Sequence, residues 1–125
     1  MKKEFVRYEL AVKLKELGFD EPCFAWYNDN GNYMLGIDEV RFDTIKTYHF
    51  NNTDSASAPL YQQAFRWFRE KYDLYSFVFK FDEGFGYETY KEGVTQTNES
   101  FDTYEEAELA CLNKLIEIVE QQNQK

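Results

Sequence analysis

The sequence predicts an α+β protein: a two-layer sandwich in which an antiparallel sheet of two hairpins is covered on one face by three helices, in the order α-ββ-α-ββ-α. Three observations carry this. Three stretches repeat apolar residues at three- and four-residue steps, and two pairs of strand-like runs flank turn signals. The chain of 125 residues is 43% hydrophobic and 19% aromatic, with 12 Phe, 10 Tyr and 2 Trp, which is too apolar and ring-rich for a disordered polymer. Its length suits a single domain spanning residues 1–125.

The first helix is predicted from Glu4 to Leu17. Phe5, Val6, Leu10, Leu14 and Leu17 recur on one side, with Lys13, Lys15 and Glu16 between them, and Gly18 is placed to stop it. Two strand-like runs follow, Cys23 to Tyr27 and Tyr33 to Ile37. They flank Asn28 to Asn32, whose Asn-Gly step favours a primed hairpin turn. Residues 38 to 57 are the least regular, although Val40, Phe42, Ile45, Tyr48 and Phe50 suit a further short strand before the polar loop Asn51 to Ser57.

The second helix is the most distinctive segment, Ala58 to Tyr72, with Pro59 at the first helical position. Leu60, Tyr61, Ala64, Phe65, Phe68 and Tyr72 form a broad apolar stripe that specifies packing rather than chemistry. Trp67, one step off that stripe, widens the core contact; the alternative is that it joins Trp26 and Tyr27 in lining a small-molecule pocket or a partner-binding patch. The run Leu74 to Phe81 has strand composition, Asp82 to Gly86 reads as its turn and Tyr87 to Lys91 as its partner strand. Gly93 to Ser100 is a polar connection. Two overlapping capping boxes, Asp102 to Glu105 and Thr103 to Glu106, launch a last helix through Gln121. Its buried stripe is Ala107, Cys111, Leu115 and Ile118, with Leu112 and Val119 beside them. Each of the first two helices precedes a hairpin, but residue identities do not repeat, so the recurrence is a coincidence of shape.

Charge and cysteine content limit the function classes. Net charge is −9, and it is concentrated: residues 82 to 120 hold eleven acids against Lys91 and Lys114. The remainder is nearly neutral, so a sequence-independent grip on phosphate backbones has no electrostatic basis and no direct nucleic-acid binding is expected. No charged leader or long apolar run is present, and the two cysteines, Cys23 and Cys111, sit among apolar residues as structural thiols; the expected location is cytoplasmic, without membrane attachment.

No catalytic, cofactor-binding or metal-ligating set emerges. His49 is the sole histidine and lies in the irregular segment, so neither a histidine-based metal site nor a nucleophile-histidine-acid arrangement has a second member. Asn28 to Asn32 imitates a calcium loop, but its Gly is misplaced and no terminal Glu follows. The glycines match no dinucleotide or phosphate-binding spacing. Glu99, Asp102, Glu105, Glu106 and Glu108 crowd the start of the last helix, where the macrodipole favours negative charge; capping and solubility explain them, and an acidic patch for a basic partner is the alternative.

Three blocks, Glu4 to Phe24, Ala58 to Tyr72 and Thr103 to Ile116, resemble a family of small uncharacterised proteins of gut Bacteroidales genomes and their phages and prophages. The resemblance implies no enzyme chemistry, ligand or catalytic residue. The functional expectation is therefore a non-enzymatic protein-interaction module of phage or mobile-element origin, with a partner and oligomeric state the sequence does not specify. The alternatives are a ligand-binding or catalytic domain assembled from unremarkable residues, and a nucleic-acid mimic that inhibits a basic partner through residues 82 to 120.

Overall fold

The computed structural model describes residues 4–35, 55–91, 94–97 and 100–124, the side chains of 94–97 excepted. The predicted strand near Val40 to Phe50, His49 and Glu99 lie outside the described residues. The fold is mixed α+β, and the described residues form three helices and two antiparallel sheets of three strands each in place of the single sheet expected. Residues 1–61 and 62–125 form two compact units.

In the first unit, helix α1 runs Tyr8–Glu16, shorter at its start than the apolar period suggests. Phe5 and Val6 are buried as extended chain: Phe5 bridges Leu60, and the Val6 N–H donates to the Pro59 carbonyl at 2.8 Å. Pairing with a carbonyl beyond β3, far along the chain, outcompetes one more helical turn. At the other end the expectation holds. Gly18 adopts φ +99, its N–H donates to Lys15 O at 3.0 Å and that of Phe19 to Leu14 O at 2.9 Å, which is the Schellman closure that a left-handed glycine permits.

Strands β1 (Ala25–Tyr27) and β2 (Tyr33–Leu35) form the first hairpin, but not through a two-residue primed turn. Asn28 N–H donates to Asn32 O, Gly31 N–H donates to Asn28 O, and Gly31 takes φ +79, the pattern of a three-residue loop closed by a left-handed glycine. The Asn28 carboxamide oxygen decides the difference: it accepts from the N–H groups of Asn30 and Asn32 at 3.0 and 2.9 Å, folding the chain back over itself. Strand β3 (Ala56–Ala58) takes the last two residues of the predicted polar loop and the first of the predicted second helix, and pairs with the other side of β1. Ala-Ser-Ala carries little β-propensity, yet all three residues are buried, and α1 packs against them.

In the second unit, helix α2 (Tyr61–Tyr72) starts two residues after Pro59, because Pro59 and Leu60 serve the extended bridge to residues 5 and 6. Ala64, Phe65, Trp67 and Phe68 are buried, so Trp67 does join the core. Strands β4 (Tyr75–Phe81) and β5 (Gly84–Lys91) pair from Tyr75↔Tyr90 to Phe81↔Gly84, which leaves only Asp82 and Glu83 as the loop. The expected five-residue turn shortens because Gly84 and Gly86 are ladder residues. A Cβ on Gly86 would stand 3.1 Å from Phe79 and 3.2 Å from Phe81, so the missing side chain is what seats those rings. Strand β6 (Val94–Thr97), expected as connection, adds to β5, giving the order β4-β5-β6. Its Val and two Thr are strand formers inside a segment that reads as polar.

Helix α3 (Tyr104–Asn123) packs against β4 and β5. Of the two capping boxes the second is used: Thr103 is the N-cap, accepting from Glu106 N–H at 3.1 Å. Its buried residues include Ile116, with Ile118 only half-buried, a shift of the stripe from the predicted one. Both units share an α-βββ run, but the first orders its strands β2-β1-β3 and the second β4-β5-β6, so the central strand is the first in one and the second in the other. The recurrence is one of shape.

Substitutions at two positions test the joints described. Thr103→Ala is expected to destabilise the protein by about 1 kcal/mol through the lost cap, with Thr103→Ser within about 0.5 kcal/mol of the parent. Gly84→Ala is expected to cost about 2 kcal/mol or more, since its Cβ would lie 2.6 Å from the Phe101 carbonyl oxygen, a backbone atom that cannot rotate away. Chemical denaturation of the three variants checks both.

Candidate functional site

The residues singled out from sequence do not converge. Asp102, Glu105 and Glu106 are exposed around the start of α3, whereas Glu108 is buried at 9% exposure and Glu99 lies outside the described residues. Glu105 and Glu106 sit in the first helical turn, where unpaired N–H groups already favour negative charge. Asn28 spends its side-chain oxygen on its own turn. No group of three or more His, Cys, Asp or Glu among the described residues stands close enough to hold a metal ion, and no described helix is long and apolar enough to cross a membrane.

Neither cysteine forms a disulfide and both are buried, Cys23 just before β1, where its thiol donates to the Glu21 carbonyl at 3.3 Å, and Cys111 on α3. Burial pushes the Cys111 thiol up to about 12; the hydrogen bond with Ser76 opposes that rise and the Glu108 carboxylate adds to it. Such a thiol is no nucleophile near neutral pH. The tyrosine cluster of the first unit is structural too. Tyr27 donates to the Val6 carbonyl at 2.7 Å, and its ring meets Tyr8 and Tyr33 edge-on at 5.4 and 6.2 Å. Beside it a half-open cavity of about 210 Å³ lies between α1 and the hairpin turn, lined by Tyr8, Val12, Lys15, Asn28, Asp29, Ser55 and Ala56. The one cation there, Lys15, donates to the Ser55 carbonyl at 2.9 Å and so ties α1 to the residue before β3.

The feature the sequence reading missed is the open face of the second sheet. The β4 to β5 register fixes two faces. On one, Ser76↔Thr89 and Val78↔Tyr87 turn toward α3: Thr89 and Tyr87 are buried and Ser76 reaches the Cys111 thiol. On the other stand Tyr75, Phe77, Phe79 and Phe81, opposite Tyr90, Glu88, Gly86 and Gly84. Tyr75 is 46% exposed, Phe77 54%, Phe81 36% and Tyr90 46%. Phe77, Phe79 and Phe81 form a continuous row with ring centroids 5.9 and 6.0 Å apart. Composition marks Leu74 to Phe81 as a strand without saying which side is covered; its smaller residues, Ser76 and Val78, face the helix. The cause lies on the partner strand, where Gly84, Gly86 and Glu88 cannot supply an apolar core face and Tyr87 and Thr89 can.

Four exposed rings on one antiparallel ladder, with the half-buried Phe79 between them, are more than the scattered apolar residues of an ordinary surface. Phe77, Phe79 and Phe81 flank one another, and the space above Gly86 is taken by the rings of Phe79 and Phe81. The face carries Glu88 within the row and the exposed Asp82 and Glu83 at the hairpin tip. It offers flat apolar contact and negative charge.

The buried thiol makes a pH prediction. Below about pH 9 the folded and unfolded chains both keep the Cys111 proton; above it only the unfolded chain releases it, until the folded group titrates near 12. Stability should therefore fall as pH rises through that window, by up to about 1.4 kcal/mol per pH unit from this group. Tyr27, Tyr33, Tyr72 and Tyr104, all raised by burial, add a slope of the same sign at higher pH. Urea unfolding across the alkaline range should show a shallower loss for Cys111→Ala than for the parent. Compared with protein-family models, with curated proteins and with solved structures, the chain matches none, so the geometry of its own surfaces carries the functional reading.

Proposed function

We propose that this chain is a non-enzymatic protein-interaction module, and that its contact surface is the aromatic face of the β4-β5-β6 sheet. The single observation that supports this is the exposure of Tyr75, Phe77, Phe81 and Tyr90 on one side of one ladder while α3 covers the other. Large rings immobilised before binding lose little side-chain entropy on contact, which is why aromatic residues dominate interface energetics. The occupant the charges select is a protein segment with apolar residues flanked by Lys or Arg. Glu88 in the row, Asp82 and Glu83 at the tip and the net charge of −9 attract such a segment and repel an acidic one. Two buried thiols outside any disulfide suit a reducing compartment such as the cytoplasm.

A selection from a random peptide library tests the proposal. Sequences enriched on the parent protein should combine apolar residues with Lys or Arg. Each should bind at least tenfold more weakly to Phe77→Ala, a loss of about 1.4 kcal/mol, while thermal stability changes little because Phe77 is more exposed than buried. Equal binding to parent and variant, enrichment of acidic sequences, or no enrichment at all would overturn it.

A further inference from the structure

The edge of the same sheet carries an inference independent of what lands on its face. β4 is the outermost strand in the order β4-β5-β6, and no other strand among the described residues pairs with its far side. Edge strands of this kind are ordinarily blunted by brevity, a proline, a bulge or an outward lysine. β4 has seven residues, no proline and an uninterrupted register from Tyr75 to Phe81. Its one charge, Lys80, is turned back on its own unit, with the ammonium donating to Phe81 O at 3.2 Å and lying 4.9 Å above the Phe85 ring.

Self-pairing of this strand is unusually consistent. In an antiparallel pair centred on Val78, Tyr75 meets Phe81 of a second copy, Phe77 meets Phe79, Ser76 meets Lys80 and Val78 meets Val78. Every residue of the strand is matched. Each cross-strand pair on the outer face is aromatic on aromatic, and no like charges oppose each other. The two-fold axis stands perpendicular to the sheet, so both ring-bearing faces point the same way and join. Stacking two copies face to face is the weaker arrangement, because it would bury Glu88 of each chain between the aromatic rows.

We infer that two copies of this chain associate through β4, antiparallel about Val78, into a continuous six-stranded sheet. The interface is isologous and closes on itself, which converts an aggregation-prone edge into a defined dimer. The dimer needs no other partner, so its test stands apart from that of the peptide-binding face.

Sedimentation equilibrium of the purified parent should give twice the 15.0 kDa chain mass. F77K/F79K sets lysine against lysine across the axis and should weaken the dimer at least tenfold, whereas F77K/F79E sets lysine against glutamate and should restore it. The two double variants lose the same rings, so a difference between them reads the register and not the loss of apolar area. Circular dichroism confirms that both are folded. As a second measurement, Val78→Cys should give a disulfide-linked dimer under mild oxidation and Phe77→Cys should not, since residue 77 faces residue 79 and the native thiols are buried. A monomeric parent across the concentration range, identical behaviour of F77K/F79K and F77K/F79E, or crosslinking by Phe77→Cys but not Val78→Cys would each overturn the inference.

Discussion

The constraint on which the second unit depends is the close approach of two backbones at Gly84. Phe85 and Phe101 exchange both of their N–H to carbonyl bonds, at 2.9 and 2.7 Å, and this clamps the start of β5 to the chain just before α3. The clamp leaves no room for a side chain on Gly84, and it holds α3 in position to cover one side of the hairpin. Once Gly84 is held opposite Phe81, the pairing of every residue back to Tyr75 and Tyr90 follows, because a ladder without a bulge has no freedom to slip. Which rings meet helix and which meet water is therefore set by a glycine and a carbonyl, not by the rings themselves.

Elements whose boundaries depend on local chemistry were legible from the residues alone. Gly18 ends α1 by the backbone conformation that only glycine adopts cheaply, and Thr103 with Glu106 starts α3 by a side-chain bond to a specific N–H. Elements held by distant partners were not. Phe5 and Val6 have helical spacing but lie extended against Pro59 and Leu60, and Ala56 to Ala58 pair with β1 although their composition is that of a loop. Polarity likewise concealed β6. In each case pairing across tens of residues overrode a local preference worth only tenths of a kcal/mol per residue.

The open aromatic face was hidden for a related reason. Aromatic residues at alternating positions are the ordinary signature of a buried strand face, and Tyr75 to Phe81 display it fully. The contrary signal, Gly84, Gly86 and Glu88 on the partner strand, becomes readable only when the register is known. The acidic residues near α3 present the opposite case, prominent in the sequence but divided in space between the exposed Asp102, Glu105 and Glu106 and the buried Glu108. An amphipathic α3 sorts neighbouring acids by angle, so closeness in the chain does not make a continuous patch.

The placement of the two indoles gives the protein a built-in optical probe of its own cooperativity. Trp26 lies half-buried in the first compact unit, and Trp67, at 6% exposure, lies among the rings of Phe68 and Tyr72 in the second. Each unit thus carries one tryptophan, selectively excitable over the tyrosines, in a different environment. Replacing either one by phenylalanine leaves an emission spectrum that follows a single half of the chain as it melts.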